Sequence, residues 1–202
     1  MSIVLVGSTS GSITLQEPAV AGTTVLDLPA TSGTLITTGS TGQVIPKAAL
    51  PTGSVLQVVN ATYSTYTTIA STTFTDTGLS ASITPTSSSS KVLIIVSQQT
   101  GVSRDTNQSA IGFTNILRGS TQIWLGTRNP VISAGTDAST GILTGSQQTI
   151  VYLDSPATTS STTYKTQGKV STTSNGCIYR VNDYTSVSGE TVSTITLMEI
   201  AA

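Results

Sequence analysis

The sequence predicts an all-β protein, and the main evidence is its composition and the spacing of its apolar segments. Of the 202 residues, 70 are Ser or Thr, and only 17, eight basic and nine acidic, carry a charge. Thr, Val, Ile and Tyr are abundant, and these residues favour the pleated, half-buried surface of a strand. No helical period is present, and the best candidate helix, residues 47–50, is stopped by Pro51. Short apolar or alternating runs separated by Gly, Ser, Asn and Pro recur instead, which is typical of an all-β chain.

Residues 1–52 are predicted to form a separate N-terminal region, because they contain no aromatic residue and consist of very short strand candidates joined by Gly-rich turns. Such short strands leave unpaired edges and cannot enclose a core by themselves. We expect three copies of a short β-ribbon to bury their apolar side chains against one another, so that this region trimerises and attaches the protein; the alternative is a flexible leader. The segment 43–53 contains Pro46 and Pro51 and is the expected linker. The candidate strands are 3–6, 12–16, 23–28 and 34–38.

Residues 53–202 are predicted to form an antiparallel β-sandwich knob that is similar to a jelly roll, because the strand candidates lengthen and aromatic residues appear. Segment 91–96 is apolar on both faces, which is the pattern of a strand central to a sandwich. The predicted strands are 55–63, 67–75, 81–84, 91–97, 110–117, 121–126, 141–153, 163–171, 177–182 and 192–200.

Catalysis is not expected, because the chain contains no histidine. Acid/base and nucleophilic catalysis need a side chain whose pKa is near the working pH, and histidine offers this without strong perturbation. A Ser-His-Asp triad is therefore impossible, and Cys177 has no imidazole to activate it. A carboxylate pair for glycoside hydrolysis is a remote alternative, but most acidic residues lie where turns are predicted, as Asp76 does before Thr77 and Gly78. We predict no catalytic residue and a protein that is not an enzyme.

Cofactors, metals, nucleic acids and membranes are not expected as partners. The chain has no Cys/His set for zinc and no Asp-x-Asp-x-Asp spacing for calcium, although an ion on a three-fold axis with one carboxylate from each chain stays open. The basic residues never form the cluster that nucleic-acid binding requires, and no apolar stretch approaches the length of about 18 residues of a membrane span. The start lacks the basic region of a secretion signal, and Cys177 stands alone. We expect Cys177 to be a small buried hydrophobe in a chain that folds in a reducing cytoplasm.

Aromatic side chains are the candidates for contact with a partner, because an exposed ring can stack on a sugar or anchor another protein. Tyr66 and Tyr184 are flanked by Thr and Ser in predicted loops and are the candidate surface-contact residues. Trp124 lies within an apolar run and is expected in the core or at a subunit interface.

Three stretches, 53–59, 72–85 and 91–96, together resemble a module common in tailed-phage virion proteins, especially those of cyanophages. The leader, with 11–16, 18–19 and 28–35, looks like the region that often precedes this module. The resemblance covers about half of the chain. It implies a homotrimeric β-sandwich knob of the kind found at fibre and tailspike tips and in capsid decoration proteins, and it supplies no catalytic residue.

Chain length favours one of these roles, because a tail fibre needs a shaft and this sequence contains neither heptads nor a long repeat. The leading hypothesis is therefore a homotrimeric capsid decoration, or cement, protein that stabilises the phage head by bridging copies of the major capsid protein. The alternative is the receptor-binding tip of a short tail fibre or tailspike that recognises a host surface glycan, and a polysaccharide depolymerase is a distant third. In each case the expected location is the virion, after synthesis in the bacterial cytoplasm.

Overall fold

The computed structural model describes residues 3–6, 12–15, 50–105, 111–126, 142–183 and 191–202. Contacts divide the chain into two units, Met1–Ile45 and Pro46–Ala202. In the first unit, strands β1 (Ile3–Val6) and β2 (Ser12–Leu15) pair antiparallel. The predicted strands 23–28 and 34–38 lie outside the described residues, so the trimerising ribbon and the domain boundary at residues 52 and 53 stay predictions.

The second unit is an antiparallel β-sandwich, which confirms the predicted all-β fold class. Its strands are β3 (Val55–Tyr63), β4 (Thr67–Ile69), β5 (Thr75–Ile83), β6 (Lys91–Arg104), β7 (Gly112–Arg118), β8 (Thr121–Leu125), β9 (Ile142–Asp154), β10 (Thr162–Val170), β11 (Ile178–Val181) and β12 (Ser193–Ile200). A single 3-10 turn, Ser174–Gly176, precedes β11 in the described part of the chain.

Strand order places eight of these strands in two four-stranded layers. One sheet has the order β5-β10-β7-β8, and the other contains β3-β12-β6 with β9 on the far edge of β6. The short pair β11-β4 extends the second sheet to six strands, because β11 continues along the same edge of β6 beyond the end of β12. In chain order these eight strands change layer at each step except from β7 to β8, which is the order of a jelly roll.

The main core lies between the two sheets and follows from strict alternation along the strands. On β6 the side chains of Val92, Ile94 and Val96 are fully buried, as are Ile195 and Leu197 on β12. β6 is hydrogen-bonded to β12 on one side and to β9 on the other, so the prediction of a central strand at 91–96 is confirmed. Its second face differs from the expectation for a strand inside a sandwich, since Leu93 and Ile95 point outward and are half-buried.

A second apolar cluster lies around Tyr179 of β11. A Cβ atom at Gly168 would lie 2.4 Å from Cε1 of Tyr179, and one at Gly112 would lie 2.8 Å from Cδ2. Glycine is therefore required on the facing strands β10 and β7 to make room for the ring. Cys177 belongs to this cluster and is buried, as predicted, and burial raises the pKa of its thiol.

The prediction of one strand over 67–75 is wrong. β4 ends at Ile69, and a turn follows in which Ser71 Oγ accepts a hydrogen bond from the Thr73 amide at 3.0 Å and donates one to the Thr73 carbonyl at 2.9 Å. Serine side chains compete with strand hydrogen bonds in this way. A run of Ser and Thr therefore conceals a turn that β-propensity alone does not reveal.

The predicted turn at Asp76–Gly78 is also wrong, because these residues lie inside β5. The register between β5 and β10 shifts between Lys165 and Gln167, which marks a β-bulge opposite them. Gly78 lies in this bulge with φ of 99°, and a Cβ there would lie 2.3 Å from Cζ of Tyr63. The glycine thus serves a bulge and a close approach rather than a turn, and the Asp76 carboxylate bonds across to β10 instead of capping a turn.

Candidate functional site

The carboxylates of Asp76, Asp154, Asp183 and Glu199 are engaged in structural contacts rather than in a hydrolytic pair. The Asp154 carboxylate accepts hydrogen bonds from Arg118 Nη1 at 2.9 Å and from the Tyr164 hydroxyl at 2.7 Å. Burial and the neighbouring Asp154 raise the pKa of Tyr164, so its hydroxyl keeps its proton. Asp76 is paired with Lys165 at 2.7 Å. In the described ranges no group of three or more Cys, Asp or Glu side chains is placed to hold a metal ion.

Tyr66, one of the two predicted contact residues, lies in the loop between β3 and β4 and is half-buried. Its hydroxyl accepts a hydrogen bond from Arg180 Nη1, and its ring centroid is 5.8 Å from the Arg180 guanidinium carbon. Arg180 also donates to Ser103 Oγ at 2.8 Å and to Asp183 Oδ2 at 3.1 Å. Asp183 balances the charge of Arg180, and the contacts with Arg180 hold Tyr66 in place on the outer side of β11. Its role in partner contacts stays a prediction.

Tyr184, the second predicted contact residue, lies outside the described residues. Trp124 is in β8 and packs, half-buried, against the main core, which agrees with the first of its two predicted locations. Among the described aromatic residues, the phenylalanines lie near a cation: Lys169 Nζ is 4.7 Å from the Phe74 centroid and 5.2 Å from the Phe113 centroid.

Beyond Val96 the inner face of β6 carries three buried polar residues, Gln98, Thr100 and Arg104, beside the apolar Val102, which sequence reasoning did not anticipate. Gln98 is buried and donates from Nε2 to Thr77 Oγ1 at 3.1 Å, and its Oε1 has no hydrogen-bond partner among the described residues. Arg104 is 1% exposed, and its three guanidinium nitrogens likewise have no partner within the described part of the chain. Alternation along β6 places both Gln98 and Arg104 inward. The predicted strand ends at Ser97, before either residue, so the pattern did not reveal them.

The outer face of the six-stranded sheet is the surface with the clearest capacity for binding. Strand register aligns Val58, Met198, Leu93 and Leu153 in one row across β3, β12, β6 and β9. The next row contains Ile95 and Val151, together with Asn60 and Thr196. We call the six apolar side chains of these two rows the apolar face; they are Val58, Leu93, Ile95, Val151, Leu153 and Met198.

Much of the apolar face is open to solvent in the isolated chain. Val58 is 56% exposed, Val151 62% and Leu153 48%, while Leu93, Ile95 and Met198 are half-buried between them. A third row, formed by Thr62, Thr194, Ser97 and Thr149, carries only hydroxyl groups. None of the three rows contains a charged side chain. Contiguous exposed apolar surface is typical of interaction sites.

The outer face of the opposite sheet differs from these three rows, because charged residues lie on it. Lys165 and Asp76 form an ion pair there, and Lys169 covers the rings of Phe74 and Phe113. These contacts give this sheet a surface that is compatible with water. The two sheets of the sandwich therefore differ in what their outer faces are able to bind.

An open groove of 390 Å³ lies at the end of the sandwich near the last residues of the chain. It is lined by Leu50, Leu56, Thr86, Ser87, Ser89, Ser90, Ala201 and Ala202. Its walls are apolar groups and hydroxyls, and they include no titratable side chain. No helix in the described part of the chain has the length and apolar character needed to cross a membrane.

Comparison with known proteins gives little further information. No family model and no curated protein matches the chain. Among solved structures, it is similar to a chain in the structure of infectious bursal disease virus Gt strain, with 14% identity and a TM-score of 0.27. The alignment covers 96% of this chain and 48% of that chain, so this chain spans about half the length of the chain it matches.

Proposed function

We propose that this protein is a non-enzymatic structural component of a bacteriophage virion, a homotrimeric decoration protein that stabilises the head by bridging copies of the major capsid protein. The observation that carries the proposal is the apolar face. An uncharged, exposed row of apolar side chains across four strands suits a permanent contact between copies of the chain in a homotrimer, because burying apolar area is the main source of binding energy in stable assemblies.

The fold supports the same class of function without fixing it. Eight-stranded jelly rolls occur in viral capsid and lectin domains, and a fold alone does not determine what a protein does. The carboxylates of Asp76, Asp154 and Glu199 are bound to Lys, Arg, Tyr and Thr partners, which leaves them in structural roles. Tyr66 is bonded to Arg180 rather than presented for stacking on a sugar. These contacts favour the cement role over the receptor-binding tip.

The test is the stability of phage particles with and without this protein. Particles that lack it should release their DNA at a lower temperature or after a milder osmotic shock, and adding the purified protein back should restore the original release temperature. Equal release temperatures in the two kinds of particle would contradict the cement role. If such particles were stable but failed to adsorb to host cells, the receptor-binding alternative would replace it.

A further inference from the structure

We propose that the apolar face is where three copies of this chain meet, with the strands β3, β12, β6 and β9 of each copy facing a common three-fold axis. This inference rests on the homotrimer of the proposed function and specifies the surface that forms it. The second and third copies of the chain are thus the partner that covers the six apolar side chains, and the charged outer face of the opposite sheet remains in water.

The rows of side chains fit this arrangement because a three-fold axis along the strands brings equal rows together. The first row would contribute Val58, Met198, Leu93 and Leu153 from each copy, which gives an entirely apolar layer. The second row gives a mixed layer, and the third gives a layer of hydroxyl groups that can hydrogen-bond to one another. No charge is brought to the axis in any of the three layers.

The width of the face matches the space around such an axis. Four strands spaced about 4.8 Å apart are about 19 Å wide, and a triangular prism with sides of that width places each sheet about 5.5 Å from its axis. Two sheets that pack face to face are about 10 Å apart, so side chains fill about 5 Å on each side. Three faces of four strands can therefore enclose a filled core, with neither a channel nor a clash at the centre.

The two outer strands of the face are the ones that neighbouring copies would bring together. Within the described ranges, β3 pairs only with β12, and β9 pairs only with β6. An unpaired strand edge is a site for association unless something covers it. In the proposed trimer, β3 of each copy lies beside β9 of the next, which covers both edges in a closed ring.

Crosslinking tests the arrangement directly. A chain that carries both Val58→Cys and Leu153→Cys should be joined by a short bis-maleimide into a covalent species of three chains, about 62 kDa or three times 20.6 kDa. The two positions lie in one row at opposite edges of the face. The wild-type chain is the control, because Cys177 is buried. A product that stops at two chains would overturn the three-fold arrangement, and no crosslinked product would overturn the inference as a whole.

A charge placed on the face provides a second, independent readout. Both positions are about half exposed, so Val58→Asp with Leu153→Asp should leave the protomer folded, with an unchanged far-ultraviolet circular dichroism spectrum, and shift the sedimenting mass from three chains to one. The matched control is Ser80→Asp, at an exposed position on the opposite sheet, which should remain a trimer. A double variant that stays trimeric with the wild-type melting temperature would contradict the inference.

These outcomes are separable from the outcome for the proposed function, since both experiments use the purified protein. A trimer that forms through another surface would leave the virion role intact and reject only this interface. A trimer that forms through the apolar face while purified particles contain none of the protein would reject the virion role and leave the interface standing.

Discussion

Glu199 is a single residue on which the stability of the sandwich depends strongly. It is fully buried on the inner side of β12, and its carboxylate accepts hydrogen bonds from the amide and the hydroxyl of Thr86, both at 2.7 Å, and from Gln57. Burial by itself would raise its pKa, but the hydrogen bonds from Thr86, Gln57 and Ser90 outweigh burial and lower the pKa to about 2. The carboxylate thus holds the loop after β5 against the last strand.

This environment predicts how stability depends on pH. Because the folded-state pKa is lower than the unfolded value, the contribution of Glu199 is fully present above about pH 4.5 and is lost as the pH falls towards about 2; it amounts to about 3 kcal/mol. Urea unfolding of the wild type and of Glu199→Gln should therefore differ strongly at pH 7 and much less at pH 2.5. The control is Asp76→Asn, which changes an exposed carboxylate and should have a smaller effect. An equal Glu199→Gln difference at both pH values would contradict this account.

At the scale of strands, Asn182 joins the pair β11-β4 to the pair β3-β12, and the two pairs share no hydrogen-bond ladder in the described part of the chain. Its Nδ2 donates to the Tyr63 carbonyl at 2.8 Å and its Oδ1 accepts from Ser193 Oγ at 2.6 Å. Its backbone amide donates to the Gln99 carbonyl at 3.1 Å. With φ of 53°, Asn182 takes the left-handed conformation that asparagine tolerates better than most residues. This one residue connects β11 to β3, β6 and β12.

We predict that Asn182→Ala lowers the free energy of unfolding by about 2–4 kcal/mol, because it leaves buried groups unpaired and disfavours the left-handed conformation. Asn182→Gly removes the same side-chain hydrogen bonds but keeps the conformation, so it should be less destabilising by about 1 kcal/mol. Denaturant unfolding of both variants separates the loss of the side-chain hydrogen bonds from the cost of the left-handed conformation. Values within about 0.5 kcal/mol of the wild type for both would show that the strand pairs do not depend on Asn182.

How much the sequence predicts also depends on the element. The strand at 55–63 was predicted to the residue, because alternation and a preceding Gly–Ser pair mark it clearly. The strand at 91–97 was predicted seven residues too short, since its continuation to Arg104 depends on pairing with β9 and β11, which are far away in sequence. Asp76–Gly78 was predicted as a turn because a bulge and a turn use the same residue types. Local patterns therefore predict the strands, whereas long-range pairing sets their ends.

The candidate site was harder to predict than the fold, because it depends on pairing between strands that are far apart in sequence. The apolar face consists of residues from four strands, and only their register shows that Val58, Met198, Leu93 and Leu153 form one row. The sequence signal was present in segment 91–96, which is apolar on both faces. It was interpreted as burial inside one sandwich, whereas Leu93 and Ile95 lie on the outer face. A single residue such as Tyr66 is easier to select from the sequence, but its role depends on residues that the fold brings close to it, here Arg180.

For the whole molecule, the distribution of charge determines which contacts are available to a partner. Arg118, Lys165 and Arg180 are in ion pairs within the chain. The apolar face and its hydroxyl row carry no charge, and the other two copies cover them in the proposed trimer. The remaining surface is also poor in charge, because the chain has only 17 charged residues. Binding to other virion proteins should therefore depend on apolar burial and hydrogen bonds, which respond little to salt. Such contacts suit a protein that is added once and retained.

The central claim, that this protein decorates a phage head as trimers, is tested most directly by its copy number in purified virions. Quantitative mass spectrometry against the major capsid protein as the internal standard gives this number. A decoration protein placed where capsid subunits meet should be present in hundreds of copies per particle, in multiples of three. A value of a few tens or fewer would contradict the claim and place the protein in a tail appendage.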